Sequence, residues 1–242
     1  MPDKMPNMVQ LEFQVKRTTA RKHQKEISLM AELLNVYTNG FDQVHSFKRT
    51  EDNDVQFAWL LIITRSLHSM RSAILLMLSG YYGPALALLR TVTEDWLVGK
   101  DCENYRPTLD ALLYEKYKFG NKKLQLRYED MANRVGIKDI VYKDDYHFQS
   151  QFIHVGRLSL AIMRNPKTDE LIVAPTYNKL LFYSCCELLM RNGLRMNELM
   201  YALLESYSDG STKTWLTMVE PSVAAISDWL KTLQEQYGGK DR

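Results

Sequence analysis

The feature that most constrains this 242-residue chain is its period. Apolar side chains recur at spacings of three and four through long blocks, and the blocks are separated by stretches rich in glycine, proline or polar residues. The pattern predicts helices near 18–48, 54–79, 84–103, 107–134, 141–155, 177–206 and 213–237, with breaks at SFKRTEDND, SGYYGP, NYRP, RVGIKD and SYSDGST. Pro84 and Pro107 suit first-turn positions, where a missing N–H costs nothing, and Pro221 predicts a kink or a restart in the last helix. One segment departs from the period. Leu158 to Met163 and Leu171 to Ala174 are β-prone runs around the turn-rich RNPKTDE, which predicts a small β-hairpin insertion near 158–174. The expected fold is therefore an all-α bundle with that insertion. No repeat or long linker divides the chain, so a single domain over 1–242 is expected, with residues 1–50 as a partly separate helical arm.

Hydrophobic residues make up 45% and charged residues 25%, the balance of a chain that buries a core. A net charge of +2 provides no overall field to draw in nucleic acid, so any basic surface must be local. The richest local run is QVKRTTARKHQKE, where Lys16, Arg17, Arg21, Lys22 and Lys25 precede the first acid, Glu26; a solvated helix start is the blander reading. Cys102, Cys185 and Cys186 form no spaced framework, which fits buried thiols in a reducing cytoplasm. The N-terminus does not read as a secretory signal. FAWLLIITRSLHSMRSAILLMLSG is interrupted by Arg65, His68 and Arg71, which argues against a membrane partner.

Within that segment Trp59, Ile63, Leu67, Met70, Ile74 and Met77 make one apolar stripe, which is core. Leu61, Thr64, His68, Arg71 and Leu75 lie on the opposite side; a helix apolar on two sides is expected to be central, with its polar members partnered. On the following helix Leu89, Val92 and Trp96 define the main buried face. Arg90 and Glu94 share another face with Ala87, Leu97 and Val98. A surface pair would favour glutamate before arginine, in agreement with the helix dipole, so the reverse order points to a tertiary role. Burying either charge alone costs several kcal/mol. The two should bond each other or reach groups such as His68, Arg71 or His154, and an internal pair that sets helix register is the plainer outcome.

KDDYHFQSQFIHVG carries His147 and His154 seven residues apart, with Ser150 and Gln151 between them and Arg157 just beyond. Seven residues rise about 10.5 Å, too far for both imidazoles to meet one metal ion. Glu-x-x-His is absent, as are a nucleophile elbow, a phosphate loop and a dinucleotide fingerprint, so neither metal nor cofactor is expected. Histidine acid–base chemistry needs less. RNA cleavage requires a base for the 2′-hydroxyl, an acid for the leaving oxygen and a cation for the phosphate, which His154 and a nearby arginine could supply.

GYYGPALALLRTVTEDW resembles the Gly-x-x-x-Ala-x-x-Leu-x-Arg-x-x-x-Glu pattern of prokaryotic helical proteins related to the HEPN (higher eukaryote and prokaryote nucleotide-binding) superfamily. Gly80 or Gly83, Ala85 or Ala87, Arg90 and Glu94 stand at the matching places, and His154 in FQSQFIHVG resembles the later helix-end histidine. The resemblance covers about Leu60 to Gly156. It implies a homodimer and, in many such proteins, metal-independent ribonuclease activity carried by Arg-x(4 to 6)-His. HFQS, before His154, contains no arginine. RTTARKH, Arg17 to His23, has the spacing but lies outside the resembling region.

Two readings follow. The first is a non-catalytic or degenerate module of a defence or stress system that binds RNA, a nucleotide or a partner protein. There His68, Arg71, His147, Gln151 and Arg157 are binding candidates, and Arg90 and Glu94 are architecture. The alternative is a ribonuclease with His154 as general acid/base and Arg90 and Glu94 organising the site.

Overall fold

The computed structural model describes residues 7–44, 47–114, 127–137, 175–207 and 210–237. These form eight α-helices and one 3₁₀ turn, with no strand among the described residues. The helices are α1 (Met8–Lys22), α2 (Gln24–Gln43), α3 (Asp54–Leu78), α4 (Tyr82–Asn104), α5 (Arg106–Tyr114), α6 (Tyr128–Val135), α7 (Lys179–Glu205) and α8 (Ser211–Tyr237). The chain is thus an all-α bundle. The segment 158–174 expected to form a hairpin lies outside the described residues.

Two of the described helices start at an asparagine that satisfies one of their free N–H groups. Asn7 accepts from the Val9 amide at 3.1 Å to open α1, and Asn178 accepts from the Leu181 amide at 3.1 Å to open α7. Ahead of α3, Thr50 and Asn53 form a reciprocal capping box. The first expected helix is divided at His23, whose φ of −130° and ψ of 39° leave the helical region. Neither glycine nor proline marks this break. The expected 107–134 helix is interrupted at Arg127, extended at φ −75° and ψ 118° ahead of α6, and residues 115–126 lie outside the described residues. α8 continues through Pro221 without a restart.

Side-chain contacts give the helix directions. Trp59 Nε1 donates to the Gly99 carbonyl at 3.0 Å and Ser66 Oγ to Asp95 Oδ2 at 2.9 Å, so α3 and α4 form an antiparallel hairpin. α7 runs parallel to α4, since Tyr82 meets Cys185 and Leu89 meets Asn192. α2 is also parallel to α7, with His23 stacked on Phe182 at 4.2 Å and Tyr37 donating to the Gly193 carbonyl. α8 runs back across α2, its Trp215 Nε1 donating to Val36 O at 3.0 Å and its Trp229 Nε1 to Glu26 Oε1 at 3.2 Å. Among the described residues a large core results, filled by Leu33, Tyr37, Ile63, Met70, Leu86, Leu89, Phe182 and Trp215 among others, with a small second cluster of Ala58, Cys102 and Leu109. Cys102, Cys185 and Cys186 are buried and unpaired, and burial pushes all three thiols up, Cys102 to about 12.

The central helix is α4 rather than α3. On α3 Trp59, Ile63, Met70, Ile74 and Met77 are buried as the stripe requires. Its opposite side faces solvent: Leu61 is 44% and Leu75 55% exposed, and Thr64, Arg65, His68 and Arg71 are exposed with them. The expectation that this side is enclosed is therefore overturned. Periodicity locates apolar positions but does not say which face a neighbour covers, and α4 and α7 cover only one face of α3. α3 is long and apolar enough to cross a membrane by composition, but its stripe is buried in protein and its other side is cationic.

Candidate functional site

α4 carries Glu94, Asp95 and Asp101 into the bundle, and each meets a countering group. Arg90 Nε lies 2.9 Å from Glu94 Oε1, with the side chains 15% and 16% exposed, an ion pair in a largely enclosed position. Two turns beyond Glu94, Asp101 is gripped by Arg134 of α6 through two bonds of 2.7 Å and also accepts from Thr108. Between them Asp95 accepts from Ser66 at 2.9 Å and lies 3.5 Å from the exposed Arg65. Burial raises the Asp95 carboxyl to about 6, with Arg65 and Ser66 working against the rise. A carboxyl in that range could exchange a proton near neutral pH. It is only 5% exposed, however, and enclosed by α3 and α4, out of reach of a substrate.

A polar layer links α4 to α7. Asn192 Nδ2 donates to Leu89 O at 2.8 Å, and Asn192 Oδ1 accepts from Thr93 at 3.1 Å and from Arg195 at 3.1 Å. Arg195 also stands 5.6 Å above the Trp96 ring. These groups bond one another and bind α4 to α7. Sequence reasoning did not find Asn192 or Asp95. The available signal was a lone polar residue on an otherwise apolar helix face, as in CCELLMRNGLRM.

The candidates named from sequence are not brought together. Arg90 and Glu94 are committed to the interior, whereas His68 and Arg71 stand on the exposed side of α3. His147, Gln151, His154 and Arg157 lie outside the described residues. Among the described residues no group of three or more histidines, cysteines or acids is placed to hold a metal ion.

The elbow between α1 and α2 has a different character. Lys16, Arg17, Arg21, Lys22 and Lys25 are all exposed. Phe13, 67% exposed, precedes Arg17 and Arg21 at four-residue spacing, so the three share one stripe. The neighbouring acids are withdrawn from this surface. Glu12 accepts from the Tyr81 hydroxyl at 2.6 Å. Glu26 is buried, accepts from Trp229 and lies 3.6 Å from His23 Nδ1. Lys22 sits 4.5 Å over the Tyr177 ring. The elbow is held by His23, 2% exposed, which stacks on Phe182 and is hydrogen-bonded through Nε2 to the Tyr177 hydroxyl at 2.8 Å. Burial lowers the His23 pKa, with the Glu26 carboxylate opposing, so the ring is neutral at physiological pH and leaves the surface charge to the lysines and arginines. A cationic stripe with an exposed aromatic can bind phosphates and stack on a base.

Comparison with protein-family models, with curated proteins and with solved structures finds no match to this chain.

Proposed function

We propose that the chain is a non-catalytic RNA-binding helical module that uses the α1–α2 elbow to hold the phosphate backbone. The observation that carries this reading is the exposure of Lys16, Arg17, Arg21, Lys22 and Lys25 on a surface from which Glu12 and Glu26 have been drawn away. With a net charge of only +2, such a concentration is local by construction, and local cation density is what phosphate binding requires. The pairing of Arg90 with Glu94 supports the non-catalytic part, because the arginine is neutralised inside the bundle. The relationship to HEPN proteins, a cytoplasmic homodimer and a role in prokaryotic defence or stress belong to the same proposal, resting on the resemblance around Arg90 and Glu94.

The test is fluorescence anisotropy with a mixed-sequence single-stranded RNA across a salt series. Binding should weaken with salt, and the slope of log K against log salt should shrink by about 2 in a Lys16→Ala/Arg17→Ala/Arg21→Ala variant, at roughly 0.7 per lost phosphate contact. Absence of binding at low salt, or a variant with an unchanged slope, would refute it. The same RNA recovered on a gel, in chelator, examines the alternative. Cleavage that disappears in His154→Ala would make the protein a metal-independent ribonuclease instead.

A further inference from the structure

A groove of about 830 Å³ runs between α7 and α8. Its volume lies within the range of small-molecule sites. Its walls are apolar, with Leu194 on α7 and Val219 on α8, and it also contains Asn197. The side-chain oxygen and nitrogen of Asn197 are both buried and have no hydrogen-bond partner among the described residues. Neighbouring α7 asparagine Asn192, by contrast, has both amide atoms bonded. Leaving a buried donor or acceptor unpaired costs about 1–3 kcal/mol, so an arrangement that pairs the Asn197 amide is favoured over one that does not.

The chemistry of the groove narrows its occupant. An amide side chain offers one acceptor beside one donor, and the group that answers both side by side is another amide. Glu198 and Glu220 stand at the rim, and Lys100 is occupied by Glu103 at 3.3 Å, so the local charge disfavours an anionic head group. We propose that the groove is a binding site for a neutral, amide-bearing molecule with an apolar tail. The tail lies along Leu194 and Val219, and the amide pairs with Asn197, whose side chain rotates outward to meet it.

Octanamide, octanoate and octan-1-ol, titrated calorimetrically into the full chain, test this. Octanamide should bind at least tenfold more tightly than either of the others. Asn197→Leu should remain folded, melt at or above the wild-type temperature because an unpaired amide has gone, and lose at least tenfold in octanamide affinity. Leu216→Glu, on an α8 wall residue 41% exposed, should abolish binding while leaving Asn197 intact. Failure of octanamide to bind, equal affinity for octanoate, or unchanged binding in Asn197→Leu would each overturn the proposal. RNA binding at the elbow is read separately and is unaffected by either outcome.

Discussion

Ser66 on α3 donates to Asp95 on α4 at 2.9 Å, and this one neutral hydroxyl, with an exposed arginine at 3.5 Å, is what offsets the burial of the carboxylate among the described residues. The carboxyl pKa rises from 3.8 to about 6 in the fold. The folded state therefore holds the proton more tightly than the unfolded state. That contribution to stability is complete below pH 3.8 and is lost as pH rises through 6. Asp95→Asn should be more stable than wild type at pH 8, by up to roughly 3 kcal/mol, and the difference should shrink towards pH 4. Urea denaturation at the two pH values checks this. An equal difference at both would show that the carboxyl does not titrate as described.

His23 acts with the opposite sign. Its pKa is lowered by burial, so the neutral ring stabilises the elbow above pH 6.5 and the contribution is lost as pH falls through the folded value. Melting temperature should fall on acidification from pH 7 to pH 5, and His23→Gln should flatten that fall. The comparison is cleanest in an Asp95→Asn background, where the opposing carboxyl is absent. A variant as acid-sensitive as its parent would place the sensitivity elsewhere.

Two glycines with positive φ separate conformational strain from collision. Gly80 has φ +87° and a Cβ there would stand 2.7 Å from the Thr176 carbonyl oxygen, whereas Gly136 has φ +78° with nothing within 4 Å. Gly136→Ala should cost about 1 kcal/mol, the left-handed penalty alone. Gly80→Ala should cost at least twice that, because the backbone of residue 176 must also move. Chemical denaturation ranks the two, and equal losses would mean that the Thr176 contact yields freely.

Arg90 and Glu94 offer a double-mutant cycle. Arg90→Leu or Glu94→Leu alone leaves a largely enclosed charge and should destabilise by about 2–3 kcal/mol, whereas the double variant should lie near wild type. RNA affinity should stay within about twofold throughout if the pair is architecture, since both side chains are largely enclosed and apart from the exposed elbow cations. A folded Arg90→Leu protein that loses RNA would bring Arg90 into the binding surface.

The long helices were legible because each carries several turns of unbroken period. Expected 54–79 became Asp54–Leu78 and expected 177–206 became Lys179–Glu205. The break at His23 was not, because the apolar period continues across it and what holds the bend, Tyr177 and Phe182, comes from more than 150 residues away. The exposed side of α3 was misread for a related reason: Leu61 and Leu75 look like core until the neighbours are placed. That Arg90 would pair with Glu94 could be argued from the unfavourable order of the charges, but the burial of Asp95 and Asn192 depends on partners set by tertiary structure, Ser66 and Leu89. The cationic run was visible in the sequence, whereas the withdrawal of Glu12 and Glu26 from it was not.

The parallel course of α2, α4 and α7 also bears on how the molecule is made. Tyr37 is completed by Gly193, Val36 by Trp215 and Glu26 by Trp229, separations of 156, 179 and 203 residues. The apolar side of α2 leaves the ribosome well over a hundred residues ahead of α7 and α8 and waits for them to be translated. Long-range closure of this kind slows folding. A nascent chain stalled before residue 179 should therefore expose Leu29, Met30 and Leu33 to chaperones, and the last two helices close the fold rather than ornament it.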